Sequence, residues 1–410
     1  MKQLHNRFGL SAVAAVVALA LPVGVYADPA YDALKAKVEA LQKQLQEVQE
    51  TLRQYEATGA SKQEVAEIRN KVAEVSETTS EWKNAESVVH LAGYGDATYS
   101  DSQHKNGAFS GARFNPIFHY QYKDLILMEA ELEIEIEDDG STATNLEYTT
   151  IDLLANDNLA VLAGKFLSPL GQFRQNLHPS WINKLPTAPS GFGHDQAAPV
   201  SDLGVEARGG FALGSRPRYL NYAAYMANGP ILEINGSEIE AIEAEGRASN
   251  DDGKFVYGGR IGLLPIPRLE IGVSGATGKV AGEDESNATR DYDVYGADFA
   301  YKWKGLGLRS EYIKQKVGAE ASSAAPESAN WQAWYAQAAY RFLPTRWESV
   351  LRYSDYDAPG DTADQKQWAV GINYLFSANA MVKAAYDFND GKNGSEADDN
   401  AFQVQFAYGF

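Results

Sequence analysis

From about residue 88 to its last residue, the chain repeats one pattern: segments of roughly ten residues in which apolar side chains alternate with polar or small ones. Side chains of a strand point to opposite faces in turn, so each segment has one apolar and one polar face. The final stretch, AFQVQFAYGF, puts Phe402, Val404, Phe406, Tyr408 and Phe410 on one face and Gln403 and Gln405 on the other. Sixteen such segments can be counted, near 89–99, 112–122, 125–136, 146–155, 158–166, 201–213, 216–228, 254–264, 267–277, 291–303, 306–316, 331–342, 346–356, 366–376, 379–388 and 401–410.

The connections sort by length. Lys123-Asp124, Asn156-Asp157, Gly214-Ser215, Pro265-Ile266, Lys304-Gly305, Pro344-Thr345 and Ser377-Ala378 are very short, whereas 137–145, 278–290, 317–330 and 389–400 are long and polar. Short turns at one end and long loops at the other describe an up-and-down meander. An even number of strands of this length, sorted this way, predicts a closed barrel that spans an outer membrane. Closure also removes the unpaired edges that a lipid environment would not tolerate. A barrel of sixteen strands is wide enough for water, so its default activity is diffusion of small polar solutes.

The first 86 residues read differently. Lys2 and Arg7 precede an apolar run from Leu10 to Leu21, and Val25-Tyr26-Ala27 ends in small residues at the two positions a signal peptidase reads. Cleavage before Asp28 is expected, leaving 1–27 as a signal peptide. Beyond it, Leu34, Val38, Leu41, Leu45, Val48 and Leu52 lie on an apolar seam with alternating steps of three and four. That seam predicts a coiled coil within 28–86, and a single striped helix needs partners, so it argues for an oligomer. The predicted fold class is an all-β transmembrane barrel of sixteen antiparallel strands preceded by an α-helical coiled coil.

Composition narrows the chemistry. The chain has no cysteine, which excludes disulfides and thiol catalysis. Its formal net charge of -19 would repel nucleic acid. No GxS-type elbow or triad spacing appears, so no enzyme is expected. The six His are scattered along the sequence and suggest no metal site, and nothing calls for a cofactor. Acidic outer loops with Glu233, Glu238, Glu240, Glu243 and Glu245 would bind divalent cations shared with lipopolysaccharide.

Two stretches point to what sets the pore. The connection 167–200 is rich in Pro and Gly, yet carries Phe173, Leu177, Trp181, Ile182, Leu185 and Phe192. Those side chains need shelter, and in a barrel the inner wall supplies it. The loop is therefore expected to fold inward and narrow the channel, with Arg174, His178, Lys184 and His194 at the constriction. The stretch DLILMEAELEIEIEDDG sets Glu129, Glu131, Glu133, Glu135 and Glu137 on one face, which must meet water in the lumen or above it. Arg208, Arg218, Arg260, Arg268, Arg309, Arg341 and Arg352 fall on the inner faces expected of other strands. Either a transverse field between acidic and basic walls or simple pairing along a wet wall would account for them.

The leader, the short coiled coil, HLAGYGDATY and the barrel together resemble the phosphate-selective porin O/P-like superfamily, closest to the DcaP-like trimeric porins of Gram-negative bacteria. GKFLSPLGQFRQNLHPSWINKLP also resembles the inward-folding loop of that group. The resemblance implies a homotrimer, helices bundled in the periplasm and passive uptake of small, often anionic, solutes. The Glu ladder departs from the Arg and Lys ladder of phosphate-selective members, so phosphate selectivity is not carried over. The ending with Phe406, Tyr408 and Phe410 resembles the signal read by the barrel assembly machinery. A structural role, with the coiled coil as a periplasmic spacer or tether, is the competing expectation.

Overall fold

The computed structural model describes residues 87–410 apart from 215–216, 251, 284, 286 and 361–362. The expected signal peptide and the seam of Leu34, Val38, Leu41, Leu45, Val48 and Leu52 lie outside the described residues. Among the described residues the strands are β1 (Ser87–Ser102), β2 (Lys105–Tyr122), β3 (Ile126–Ile136), β4 (Thr142–Asn156), β5 (Leu159–Leu167), β6 (Ser201–Ala212) and β7 (Tyr219–Ala227). They continue with β8 (Ile231–Asn235), β9 (Glu238–Glu243), β10 (Val256–Ile266), β11 (Leu269–Val280), β12 (Arg290–Trp303) and β13 (Leu306–Val317). The last are β14 (Ala329–Arg341), β15 (Trp347–Asp357), β16 (Gln365–Leu375), β17 (Ala380–Gly391) and β18 (Ala401–Gly409). All except β8 and β9 join one closed barrel of sixteen strands, each antiparallel to its neighbours, with β18 pairing back onto β1.

The alternation assigns the faces. On β18 Phe406 is 48% exposed on the outside, while its neighbour Gln405 is 1% exposed inside. Trp368 and Gln367 on β16 divide the same way. The outer surface carries aromatic pairs toward both ends: Trp347 and Tyr374 at 4.9 Å near the short turns, and Tyr353 and Trp368 at 4.9 Å toward the other end. Such rings suit the boundary between hydrocarbon and headgroups.

Phe410 helps close the barrel. Its N–H donates to the Gly93 carbonyl at 2.9 Å, the Gly93 N–H donates back at 3.1 Å, and its ring stacks on Phe114. A Cβ on Gly93 would lie 2.7 Å from the Phe410 ring and 2.5 Å from the Asn115 carbonyl oxygen, so glycine permits this seam.

The loops differ from expectation in two places. β1 and β2 continue past the expected connector 100–111 to a tight turn at Gln103 and His104. Main-chain pairing continues there although the side chains are polar, and the tip is tied to the last loop by Lys105 and Glu396 at 2.7 Å. β8 and β9 form a hairpin within the expected loop before β10. Asn235 pairs with Glu238 across a two-residue Gly236-Ser237 turn, with Gly236 at φ 63°, a Gly-first pair that signals a hairpin in the sequence. Two Arg residues also move off the inner wall. Arg268 sits in the tight β10–β11 turn at φ 77°, and Arg218 precedes β7, where its carbonyl accepts from Leu213.

Candidate functional site

The segment 168–200 leaves β5 and returns to β6, with its entry held by Ser168 N–H donating to the Val200 carbonyl at 3.0 Å. Between these points it crosses to the inner faces of β12–β18. Lys383 donates to the carbonyls of Ser180 (2.5 Å) and Leu185 (3.3 Å) and to Gln405 Oε1 (2.7 Å). Arg352 donates to the carbonyls of Thr187 (2.9 Å) and Ala188 (3.0 Å), and Asn373 to that of Lys184 (2.9 Å). Glu311 accepts the N–H groups of Gln172 (3.2 Å) and Phe173 (3.1 Å). An irregular segment carries backbone groups that need partners, and these inner-wall side chains supply them.

Apolar contacts complete the seat. Phe173 and Phe192 pack edge-on against Tyr335. Leu185 is buried among Ala339, Val350, Ala369 and Ala385, and Trp181 packs on Leu375, Met381 and Ala407. Fully burying one such side chain is worth about 1.5–3 kcal/mol.

The opposite side stays open. One cavity of about 420 Å³ is lined by Asp96, Glu133, Glu135 and Glu147 against Arg113 and Arg174, with Gln403 and Gln405 at its edge. A second, of about 320 Å³, is lined by Glu129, Glu131, Tyr148, Thr150 and Arg208. Of the residues lining either cavity, His178 alone lines both.

A polar cluster surrounds His178. Its Nδ1 hydrogen-bonds the Arg174 carbonyl, one turn earlier on the short helical turn Phe173–Leu177. Its ring lies edge-on to Tyr94, and its Nε2 is 3.6 Å from Glu131 Oε1, too far for a hydrogen bond. Tyr94 donates to Glu131 at 2.8 Å, and Asn115 donates to Tyr94 at 3.1 Å.

Arg174 is buried with Nε and Nη2 unpartnered. Burial pulls its pKa down, while the charges of Glu147, Glu245 and Glu133 oppose that. The loop is also tied to the segment after β9: His194 Nδ1 and Glu245 Oε1 are 2.6 Å apart. That hydrogen bond raises the His194 pKa against the cost of burial. Burial works to raise Glu245, yet the bond and the charges of His194, Arg174 and Lys165 outweigh it and lower the carboxyl.

The sequence profile of the Gram-negative porin family matches residues 75–394, well over half of the chain. The chain belongs to the Gram-negative porins. It is therefore an outer-membrane channel protein rather than an enzyme. No curated relative matches the sequence. The fold of this porin is similar to the anion-selective porin from Comamonas acidovorans, at 16% identity and a TM-score of 0.56, covering 79% of this chain and 100% of that one. It is also similar to the outer-membrane channel DcaP of Acinetobacter baumannii, at 12% identity and 0.53, covering 80% and 98%. A third similar structure is Salmonella typhi OmpF in complex with daunomycin, at 14% and 0.53, covering 80% and 99%. At these identities the likeness is one of fold.

The barrel brings some of the expected site residues together and separates others. In the porin, Arg174 and His178 share the larger cavity with Glu133 and Glu135, while Glu129 and Glu131 line the smaller one. Lys184 does not join them: it pairs with Glu348 at 3.1 Å under the far wall. Arg208 pairs with Asp152 at 2.6 Å, and Arg260 with Asp298 at 2.6 Å and Glu270 at 2.9 Å. Arg309 borders a small space beside Tyr335 and Lys184. Arg352 is buried beneath the loop. These Arg residues therefore present no bare basic wall opposite the Glu ladder.

Tyr94, Asn115, Arg113, Glu147 and Lys383 were not singled out in the sequence. The alternation of Phe114, Phe118 and Tyr120 outward already put Arg113, Asn115 and His119 inward. Lys383 carried the same signal, opposite Val382 and Tyr386. Their partners were not legible, because they lie on distant segments.

Proposed function

We propose that this porin admits small polar solutes by passive diffusion, favours cationic and zwitterionic solutes over anions, and is narrowed by the segment 168–200 at His178. The observation that carries this reading is that His178 lines both cavities, with Tyr94 and Glu131 beside it. The charge preference rests on the larger cavity, where four carboxyl groups stand against Arg113 and Arg174. A passage lined mostly by one sign of charge raises the local concentration of the opposite sign. Arg174 and His178 border the narrowing in this reading. Lys184 belongs to the loop's seat, as Arg352 does. Glu129, Glu131, Glu133 and Glu135 form the acidic wall, and Arg208, Arg260 and Arg309 act as its counter-charges.

The assembly reading is a homotrimer held in part by the seam of Leu34, Val38, Leu41, Leu45, Val48 and Leu52 in the periplasm. A similar fold, OmpT of Vibrio cholerae, is described in a trimer form, at 12% identity and a TM-score of 0.50. Phe406, Tyr408 and Phe410 would serve as the signal for the barrel assembly machinery, and the acidic loops would share divalent cations with lipopolysaccharide.

Single-channel current in a planar bilayer across a salt gradient tests the function. The reversal potential of the wild type should have the sign of cation preference. Glu133→Gln with Glu147→Gln should move it toward zero or to anion preference. An anion-selective wild type would refute the charge reading. Folded protein that never conducts would refute the channel and favour the tether.

A further inference from the structure

We propose that His90 and His119, backed by Glu129, form a binding site for a borderline divalent transition-metal ion such as Zn²⁺, Ni²⁺ or Cu²⁺ on the inner wall of the barrel. The two residues lie far apart in sequence and become direct cross-strand partners when β1 pairs with β2. Their rings face each other with centroids 5.6 Å apart, and the two Nδ1 atoms are 3.4 Å apart. That is long for a hydrogen bond, which favours about 2.9–3.0 Å when N–H donates. It is the spacing of two imidazole nitrogens that ligate one tetrahedral ion at about 2.0–2.1 Å, which lie roughly 3.3–3.4 Å apart.

The remaining contacts prepare His119 for that role. Its Nε2 lies 3.0 Å from Glu129 Oε1, so a proton on Nε2 is held by the carboxylate and the Nδ1 lone pair is left facing His90. A carboxylate behind a ligating imidazole fixes the tautomer and raises its basicity. Glu129 is itself steadied: its Oε2 is 3.8 Å from Arg208 Nη2, and Arg208 pairs with Asp152 at 2.6 Å.

Among the described residues no third His, Cys, Asp or Glu completes a cluster that could hold a metal. Water would fill the remaining positions, since His90 is exposed and His119 half-buried. Two nitrogens and water make an exchangeable site rather than a permanent structural one. Imidazole nitrogen selects zinc, nickel and copper over magnesium and calcium, which prefer oxygen.

The test is titration calorimetry of the purified mature protein in detergent with Zn²⁺ alone, which does not depend on whether the barrel conducts. One Zn²⁺ should bind per chain, and excess Mg²⁺ should not displace it. His119→Ala should weaken binding at least tenfold, Glu129→Gln by about tenfold, and His104→Ala not at all. No binding by the wild type, or binding that survives His90→Ala with His119→Ala, would overturn the proposal. Should a variant fail to fold, paramagnetic resonance of Cu²⁺ on the wild type decides: coupling to two imidazole nitrogens is expected, and an oxygen-only signal refutes the site.

Discussion

The inner wall of this barrel has two halves built from the same alternation and used in opposite ways. From β13 to β18 the inward side chains, apolar ones such as Tyr335 and Ala369 and polar ones of both signs, are engaged by the loop 168–200 that lies on them: Arg352 and Lys383, 0% exposed, donate to its carbonyls, and Glu311 accepts its N–H groups. From β1 to β6 the charged inward side chains are mostly carboxylates with a few cations, and those on β1–β4 border open cavities; the Arg208 side chain is 40% exposed. On the first half a cation is spent on loop carbonyls. On the second it pairs directly with a carboxylate, as Arg208 does with Asp152 at 2.6 Å, beside open space. In the function proposed here, a charge inside the barrel bears on permeation where the loop leaves it uncovered.

The largest expected effect comes from stripping the covered half of its anchors. Arg352→Met with Lys383→Met removes the donors to four loop carbonyls. Each lost charge-assisted bond should cost about 1.5–3 kcal/mol in urea unfolding, and the released loop should raise single-channel conductance several-fold. Unchanged conductance would show that Leu185, Phe192 and Trp181 seat the loop unaided. A smaller effect is expected where the halves meet. His178→Ala removes the side chain common to both cavities and should raise conductance roughly twofold with little loss of stability. A fall in conductance would place the narrowing elsewhere.

The smallest effect concerns the tie between the loop and the segment after β9. The raised His194 pKa makes its contribution complete below the ordinary value of 6.5 and lost as pH rises through the folded value. The lowered Glu245 pKa makes its contribution present above the ordinary 4.5 and lost as pH falls through the folded value. The protection of amides 193–196 from exchange, measured relative to the intrinsic rate at each pH, should therefore be greatest between mildly acidic and neutral pH and should fall on either side. A flat profile would mean that the tie does not restrain the loop. Both groups are partly exposed, so solvent screening keeps the effect small.

Much of this was legible in the chain alone. Alternation and turn length gave all sixteen barrel strands, because a strand in lipid must show its apolar face outward along its whole span. The same rule turned Glu129, Glu131, Glu133 and Glu135 inward. The rule weakens where lipid ends. The outer half of the β1–β2 hairpin is largely polar, and the β8 and β9 strands, with five and six residues, are too short to span lipid, so both read as loop although their main chains pair.

What the tertiary structure decided was which inward charge meets which partner. Periodicity gave Lys383 and Glu131 the same orientation, and nothing local distinguishes a loop anchor from a pore-lining group. The difference arises from contacts across great sequence distance: Lys383 reaches Ser180, Arg352 reaches Thr187, and His178 comes to lie beside Tyr94. Barrel closure and the path of one irregular loop set those meetings. A short-range pattern fixes the face on which a residue stands, whereas hydrogen bonding and charge depend on what stands opposite.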